Sequence, residues 1–140
     1  MIIFTEVANI TQKQHIGRLG EDIAVKHLEN KGFAVIERNY LKKYGEIDII
    51  TQKDDIIHFI EVKSVSYENK PNVSRVTPDN YRPEDNIHAQ KLKRLSRTIQ
   101  AYLLSKHQNE EPVWVFDVIT VKINMNKRQA RVKFLEDIVL

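Results

Sequence analysis

Cysteine is absent from the 140 residues. Its absence excludes disulfides and thiolate zinc sites, and it fits a reducing compartment. Glycine and proline are scarce, with four of each. No stretch approaches the roughly 20 apolar residues of a membrane span. The opening Met1-Ile2-Ile3-Phe4-Thr5-Glu6 has neither the basic start nor the apolar run of a signal peptide. The expectation is a soluble, cytoplasmic protein with no membrane association. Charge of one sign is also in short supply. Charged residues make up 29% of the chain, yet the formal net charge is only +3. That balance is compatible with a polyanionic partner without arguing for one.

What is present is the composition of one globular domain spanning 1–140, with 41% hydrophobic residues and no repeat. Residues 1–13 read as a short leader. From about His15 to Lys31, Ile16, Leu19, Ile23 and Leu28 recur at helical spacing, and Gly32 closes the helix. Phe33–Ile36, Gly45–Ile50 and Ile56–Lys63 read as a meander of strands, with a turn at Asp54-Asp55. Ser64 to Asp85, with Pro71, Pro78 and Pro83, reads as a long polar loop. A second helix is expected to begin near Pro83-Glu84-Asp85 and to carry the stripe Leu92, Leu95, Ile99 and Leu103. After a break at His107–Pro112, Val113–Ile119 and Ala130–Leu135 read as strands. The order α-β-β-β-α-β-β predicts an α/β domain with a mixed sheet flanked by helices.

Strand side chains alternate between faces. Glu46, Asp48 and Ile50 are therefore expected on one face of their strand, opposite Ile47 and Ile49. In the next strand, Phe59, Glu61 and Lys63 share a face opposite Ile60 and Val62. Antiparallel pairing across Asp54-Asp55 brings Asp48 and Glu61 onto one face, among core-forming neighbours. Burying two carboxylates together is costly, and a divalent cation relieves that cost; a hard oxygen site suits Mg²⁺. Lys63, one pleat from Glu61, is placed to orient the attacking water and to balance charge. This equipment suits metal-assisted hydrolysis of a phosphodiester. A Lys63 salt bridge to one carboxylate on an edge strand is the structural alternative.

Gly17-Arg18-Leu19-Gly20-Glu21, Arg38-Asn39-Tyr40, Gly45–Ile50, Phe59–Lys63 and Phe116–Ile119 occur together in this order. This set resembles the YraN family, bacterial proteins with a restriction-endonuclease-like PD-(D/E)XK fold similar to archaeal Holliday-junction resolvases. The resemblance covers nearly the whole chain from about Gly17. It implies a three-layer nuclease-like domain in which Asp48 and Glu61 are ligands of Mg²⁺ or Mn²⁺ and Lys63 is the catalytic lysine. It further implies that Glu21, on the first helix, is an additional acidic ligand. Ile47 stands where the motif name has proline, and Ser64-Val65 follow Lys63 where family members often carry arginine.

Glu46 is a further ligand candidate, or an outward strand residue. Lys91, Lys93, Arg94 and Arg97 make the second helix basic. Lys91 and Arg94 are the candidate DNA or RNA contacts, against a solvated helix face. The long loop offers Tyr67, Lys70, Arg75, Tyr81 and Arg82 for stacking on bases or clamping a branched substrate. The histidines at 15, 27, 58, 88 and 107 show no metal-ligand spacing, and His58 reads as a strand-surface residue. Trp114 and Phe116 read as core, and Asp117 as a structural acid that helps to organise the site.

The leading expectation is a metal-dependent endonuclease acting on DNA or RNA, structure-selective or non-specific because no base-reading motif is visible. A non-catalytic nucleic-acid-binding module of the same fold and a protein–protein adaptor are the alternatives. Junction-cutting enzymes of this fold are generally dimers, so the resemblance allows a homodimer, although no sequence feature specifies its surface.

Overall fold

The computed structural model describes residues 12–67 and 89–140. Helix α1 spans Gln12–Asn30 and is followed by β1 (Ala34–Lys42), β2 (Gly45–Lys53) and β3 (Ile56–Tyr67). Helix α2 (Ala89–Lys106), β4 (Val113–Asn124) and β5 (Gln129–Leu135) complete the order read from the sequence. The five strands form one sheet in the order β1-β2-β3-β4-β5. All neighbours are antiparallel except β3 and β4, which are parallel and therefore need the crossover that carries α2.

Two cores lie on opposite faces of this sheet. Ile16, Ala24 and Leu28 of α1 pack with Ile49, Ile60, Ile119, Val121 and Ile123. Leu95, Ile99 and Tyr102 of α2 pack with Ile47, Ile50, Ile57, Phe59, Phe116 and Val118. Alternation along β3 and β4 thus feeds one helix from each face, giving three layers. The expected core residue Phe116 is buried, while Trp114 is half-buried and meets Phe59 edge to face at 5.7 Å. Among the described residues, no helix is long and apolar enough to cross a membrane.

Local signals place most element ends. Gly32 takes φ +90° beyond α1, where the Phe33 N–H donates back to the Leu28 carbonyl at 3.0 Å. Asp54 and Asp55 both take positive φ, 52° and 64°, as a two-residue turn joining antiparallel strands requires. Gly20 governs how closely α1 approaches the sheet: a Cβ there would stand 2.7 Å from the Cβ of Ser64 and 1.7 Å from its Oγ. Only a residue without a side chain lets α1 lie against β3 at this point, and that contact delivers the adjoining Glu21 to the sheet.

Several boundaries differ from the sequence reading. Gln12 and Lys13, expected in the leader, belong to α1. Strand β1 runs on from Ile36 to Lys42, and a register shift between Val35 and Glu37 leaves Ile36 46% exposed. Ser64–Tyr67, expected to open the long loop, is strand. Pairing with Val121–Asn124 of β4 stabilises this polar run through main-chain hydrogen bonds that its side chains do not advertise. The same pairing extends β4 past Ile119. The expected helix start at Pro83–Asp85 lies outside the described residues, as do His88 and the loop residues Lys70, Arg75, Tyr81 and Arg82.

Candidate active site and metal centre

The site sits where the regular ladder of β2 gives way. Pairing of β1 with β2 passes from Arg38↔Ile49 to Tyr40↔Ile47, skipping Asn39 and Asp48. On the other side, pairing of β2 with β3 stops at Ile49↔Ile60. Asn39 takes φ 53° within its strand, a left-handed conformation that interrupts the ladder. At the gap, the Asp48 carboxylate replaces a strand carbonyl and accepts the Val62 N–H at 2.8 Å. This break overturns the expected alternation. Ile47 and Ile49 do not share a face: Ile47 joins the α2-side core with Ile50, and Ile49 the α1-side core.

Strand β3 behaves as expected. Phe59 packs on the α2 side and Ile60 on the α1 side. Glu61, 4% exposed, lies within hydrogen-bonding contact of Asp48. Burial, with the Glu61 charge beside it, pushes Asp48 up to about 8, against the opposing pull of the Val62 N–H. Glu61 Oε1 is approached by Lys63 Nζ at 3.5 Å and, more closely, by Lys91 Nζ reaching down from α2. Burial and then contact with Lys91 lower the pKa of Lys63. For Lys91, burial pulls the same way, but hydrogen bonds to Glu61 and Lys63 and the neighbouring acidic charges outweigh it and raise its pKa.

Lys91, a candidate phosphate contact in the sequence, is thus turned into the carboxylate cluster. Arg94, three residues on, is exposed, and its Cβ would stand 3.4 Å from a Cβ at Gly45, at the start of β2. Glu21 reaches the cluster's margin from α1. Burial raises its pKa, and Arg38, 3.9 Å away, opposes that; the charges of Glu46, Asp22 and Glu61 add to the rise. The Asn39 amide nitrogen, in the orientation that satisfies both neighbours, donates to Glu46 at 2.9 Å and to Glu21 at 3.1 Å. Asn39 and Arg38 carry part of the motif, but only the strand break shows that they hold acidic residues of this site. Arg38 also pairs with Asp22 at 2.8 Å. A cleft of about 760 Å³ opens here, lined by Arg18, Glu21, Arg38, Asn39 and Glu46 among others.

The donor chemistry at Asp48 and Glu61 fits a hard divalent cation: two adjoining carboxylates, one with its pKa raised by burial and by the charge of the other. Among the described residues, however, no three His, Cys, Asp or Glu side chains converge into a ready-made metal cage. Glu21 is engaged by Asn39, and lysines partner Glu61.

His58 and Asp117 lie elsewhere. His58 is not a surface residue: its side chain is 13% exposed, and its Nδ1 lies 2.5 Å from Oδ2 of fully buried Asp117. Asp117 stands beside Ile60 in the parallel register, on the face opposite Glu61. Its Oδ1 accepts the Asp137 N–H at 2.8 Å. It organises the C-terminal segment, not the carboxylate cluster.

A model of the uncharacterised protein family UPF0102 matches residues 20–121. The chain belongs to the UPF0102 family. This is the family that its motifs resemble under the name YraN. A UPF0102 protein of Campylobacter lari is 42% identical over 94 residues, covering 67% of this chain and 73% of its own length. One from Campylobacter hominis is 38% identical over 120 residues, covering 86% and 89% respectively. The matched UPF0102 region contains Glu21, Asp48, Glu61, Lys63, Lys91 and Arg94, and it ends before β5.

The state of Asp48 sets a pH dependence for metal-free UPF0102 protein. Its folded pKa of about 8 lies above the ordinary 3.8, so the folded chain binds the proton more tightly than the unfolded chain. That contribution is fully present below the ordinary value and is lost as pH rises through about 8. The Tm of the metal-free protein should therefore fall between pH 5 and 9 more steeply than that of Asp48→Asn, as read by thermal melts in a chelator. Equal slopes would show that Asp48 does not carry the effect.

Proposed function

We propose that this chain is a metal-dependent endonuclease that hydrolyses phosphodiester bonds in DNA or RNA, selecting its substrate by structure, not by sequence. The observation that carries the reading is the break in β2. A distorted strand, two adjoining carboxylates and two lysines from different layers meet in one partly buried cluster. Arrangements that break local rules at a cost in stability concentrate at functional sites.

In the proposed mechanism Asp48 and Glu61, with Glu21 at the margin, hold Mg²⁺ or Mn²⁺. When bound, the ion supplies positive charge to the scissile phosphate and makes water more acidic. The Val62 N–H fixes the Asp48 carboxylate, so one ligand direction is set by the main chain. Lys63, held beside Glu61, orients the attacking water and offsets the charge that develops on the phosphate. The cleft between α1 and β1 has Glu21 and Glu46 on its wall, and Arg18 and Arg38 beside them can meet flanking phosphates. Arg94, exposed on α2, extends the same kind of sequence-independent contact.

A nucleic-acid-binding module without catalysis is the second reading. It is favoured by the lysines that already neutralise Glu61 and by the lack of a three-ligand cage among the described residues. Cleavage of labelled single-stranded, duplex, flap and four-way-junction DNA and of RNA, with Mg²⁺ or Mn²⁺, separates the two. The expected result is cutting of at least one substrate that needs both metal and Asp48, so that Asp48→Asn is inactive. Binding without cutting by well-folded protein would favour the module.

A further inference from the structure

We propose that Lys91 is the resident counter-cation of the carboxylate pair, holding the place that a divalent ion must take, so that metal loading requires its ammonium group to leave. This rests on the nuclease reading of the site and concerns how that site is regulated. The argument begins with charge. Glu61 is almost fully buried, and a buried carboxylate requires a partner. Two lysines supply it, and both address the same oxygen, Oε1. Lys63 sits two residues along β3 and has the less exposed side chain, 22% against 38% for Lys91. Lys91 arrives from α2, across the layer boundary, and makes the tighter contact. A dication entering that set meets two lysine side chains already gathered at the carboxylate oxygen it would need. Of the two lysines, Lys91 can withdraw: it lies on a helix with part of its side chain exposed, and its flexible four-carbon stem can swing to solvent. Its position also answers how the acidic pair is tolerated in the metal-free protein. An internal cation offsets the repulsion until the ion arrives, as a removable stand-in.

The test measures metal binding itself. Free Mn²⁺ is followed by its electron paramagnetic resonance signal during titration of wild type, Lys91→Met and Asp48→Asn, without nucleic acid. Lys91→Met is expected to bind Mn²⁺ at least 10-fold more tightly than wild type, and Asp48→Asn to lose the site. Thermal melts give a second readout: metal-free Lys91→Met should melt below wild type, and saturating Mn²⁺ should raise its Tm by more than it raises that of wild type. Should Lys91→Met fail to fold, Lys91→Gln, which keeps a neutral donor for Glu61, should tighten Mn²⁺ binding in the same direction. Asp48-dependent Mn²⁺ binding that Lys91 substitutions leave unchanged or weaken would overturn the inference while leaving the metal site standing. No Mn²⁺ binding by wild type or either Lys91 variant would overturn both.

Discussion

Lys63→Ala is expected to slow metal-dependent phosphodiester cleavage by about 10²–10³-fold, the loss typical of removing one group that acts on charge developing in the transition state. The proposed role demands a large effect because no other described side chain duplicates it. Lys91 faces the same Glu61 oxygen but belongs to the other layer and is held as the charged partner. The fold should tolerate the change. Glu61 keeps Lys91, and Lys63 is only partly buried. Affinity for nucleic acid should change little, since at most one phosphate contact is removed and most affinity comes from the summed basic surface. Single-turnover cleavage and equilibrium binding on one substrate separate these quantities. A matching fall in both would make Lys63 a binding residue, and unchanged cleavage would remove it from the mechanism.

The parts of this site that were legible in the sequence are those governed by local rules. The Asp54-Asp55 turn fixes the β2–β3 hairpin, and alternation along β3 places Glu61 and Lys63 together on the side where Phe59 packs. The stripe of α2 could be read because Leu95 and Ile99 pack at helical spacing. What could not be read depends on a partner distant in sequence. Ser64–Tyr67 opens a long polar, proline-containing stretch and reads as part of that loop until β4 supplies its hydrogen bonds. His58 looks like a surface residue until the parallel neighbour strand brings Asp117 beside it. Lys91 looks like one charge among several on a helix until Glu61, from another layer, captures it.

The failure at Ile47 and Ile49 is of a different kind. Period-two reasoning assumes a regular strand, and β2 is irregular at the one residue whose side chain replaces a backbone partner. Asn39 opposite carries the matching irregularity in its positive φ and holds Glu21 and Glu46 with its amide. The sequence offers no pattern for a carboxylate that substitutes for a main-chain carbonyl. The break itself connects fold to chemistry. If β2 remained paired through Asp48, its carboxylate would have no unpaired Val62 N–H to accept, and the strands would leave no gap beside it.

Asp117→Ala tests the opposite face of the sheet, and about 3–5 kcal/mol of stability should be lost, the cost of breaking a buried pair. The carboxylate is fully buried and uses both oxygens, one for His58 Nδ1 and one for the Asp137 N–H. Removing it orphans both partners and opens a cavity between β4 and the C-terminal segment. That segment is also tied by the Ile138 N–H, donated to the Phe116 carbonyl at 2.7 Å, and by Ile138 packing on the α2-side core, so it should loosen without detaching. For a chain of this size the loss corresponds to a Tm lower by roughly 10–17 °C. Asp117→Asn should lose less, because its carbonyl can still accept the Asp137 N–H while its amide stays beside His58 Nδ1. Since Asp117 points away from Glu61 and Lys63, Mn²⁺ affinity measured well below the lowered Tm should match that of wild type. A small stability loss in Asp117→Ala would show that water or a rotated His58 replaces the carboxylate. Altered Mn²⁺ affinity in a folded variant would show that the two faces of the sheet are coupled through β3.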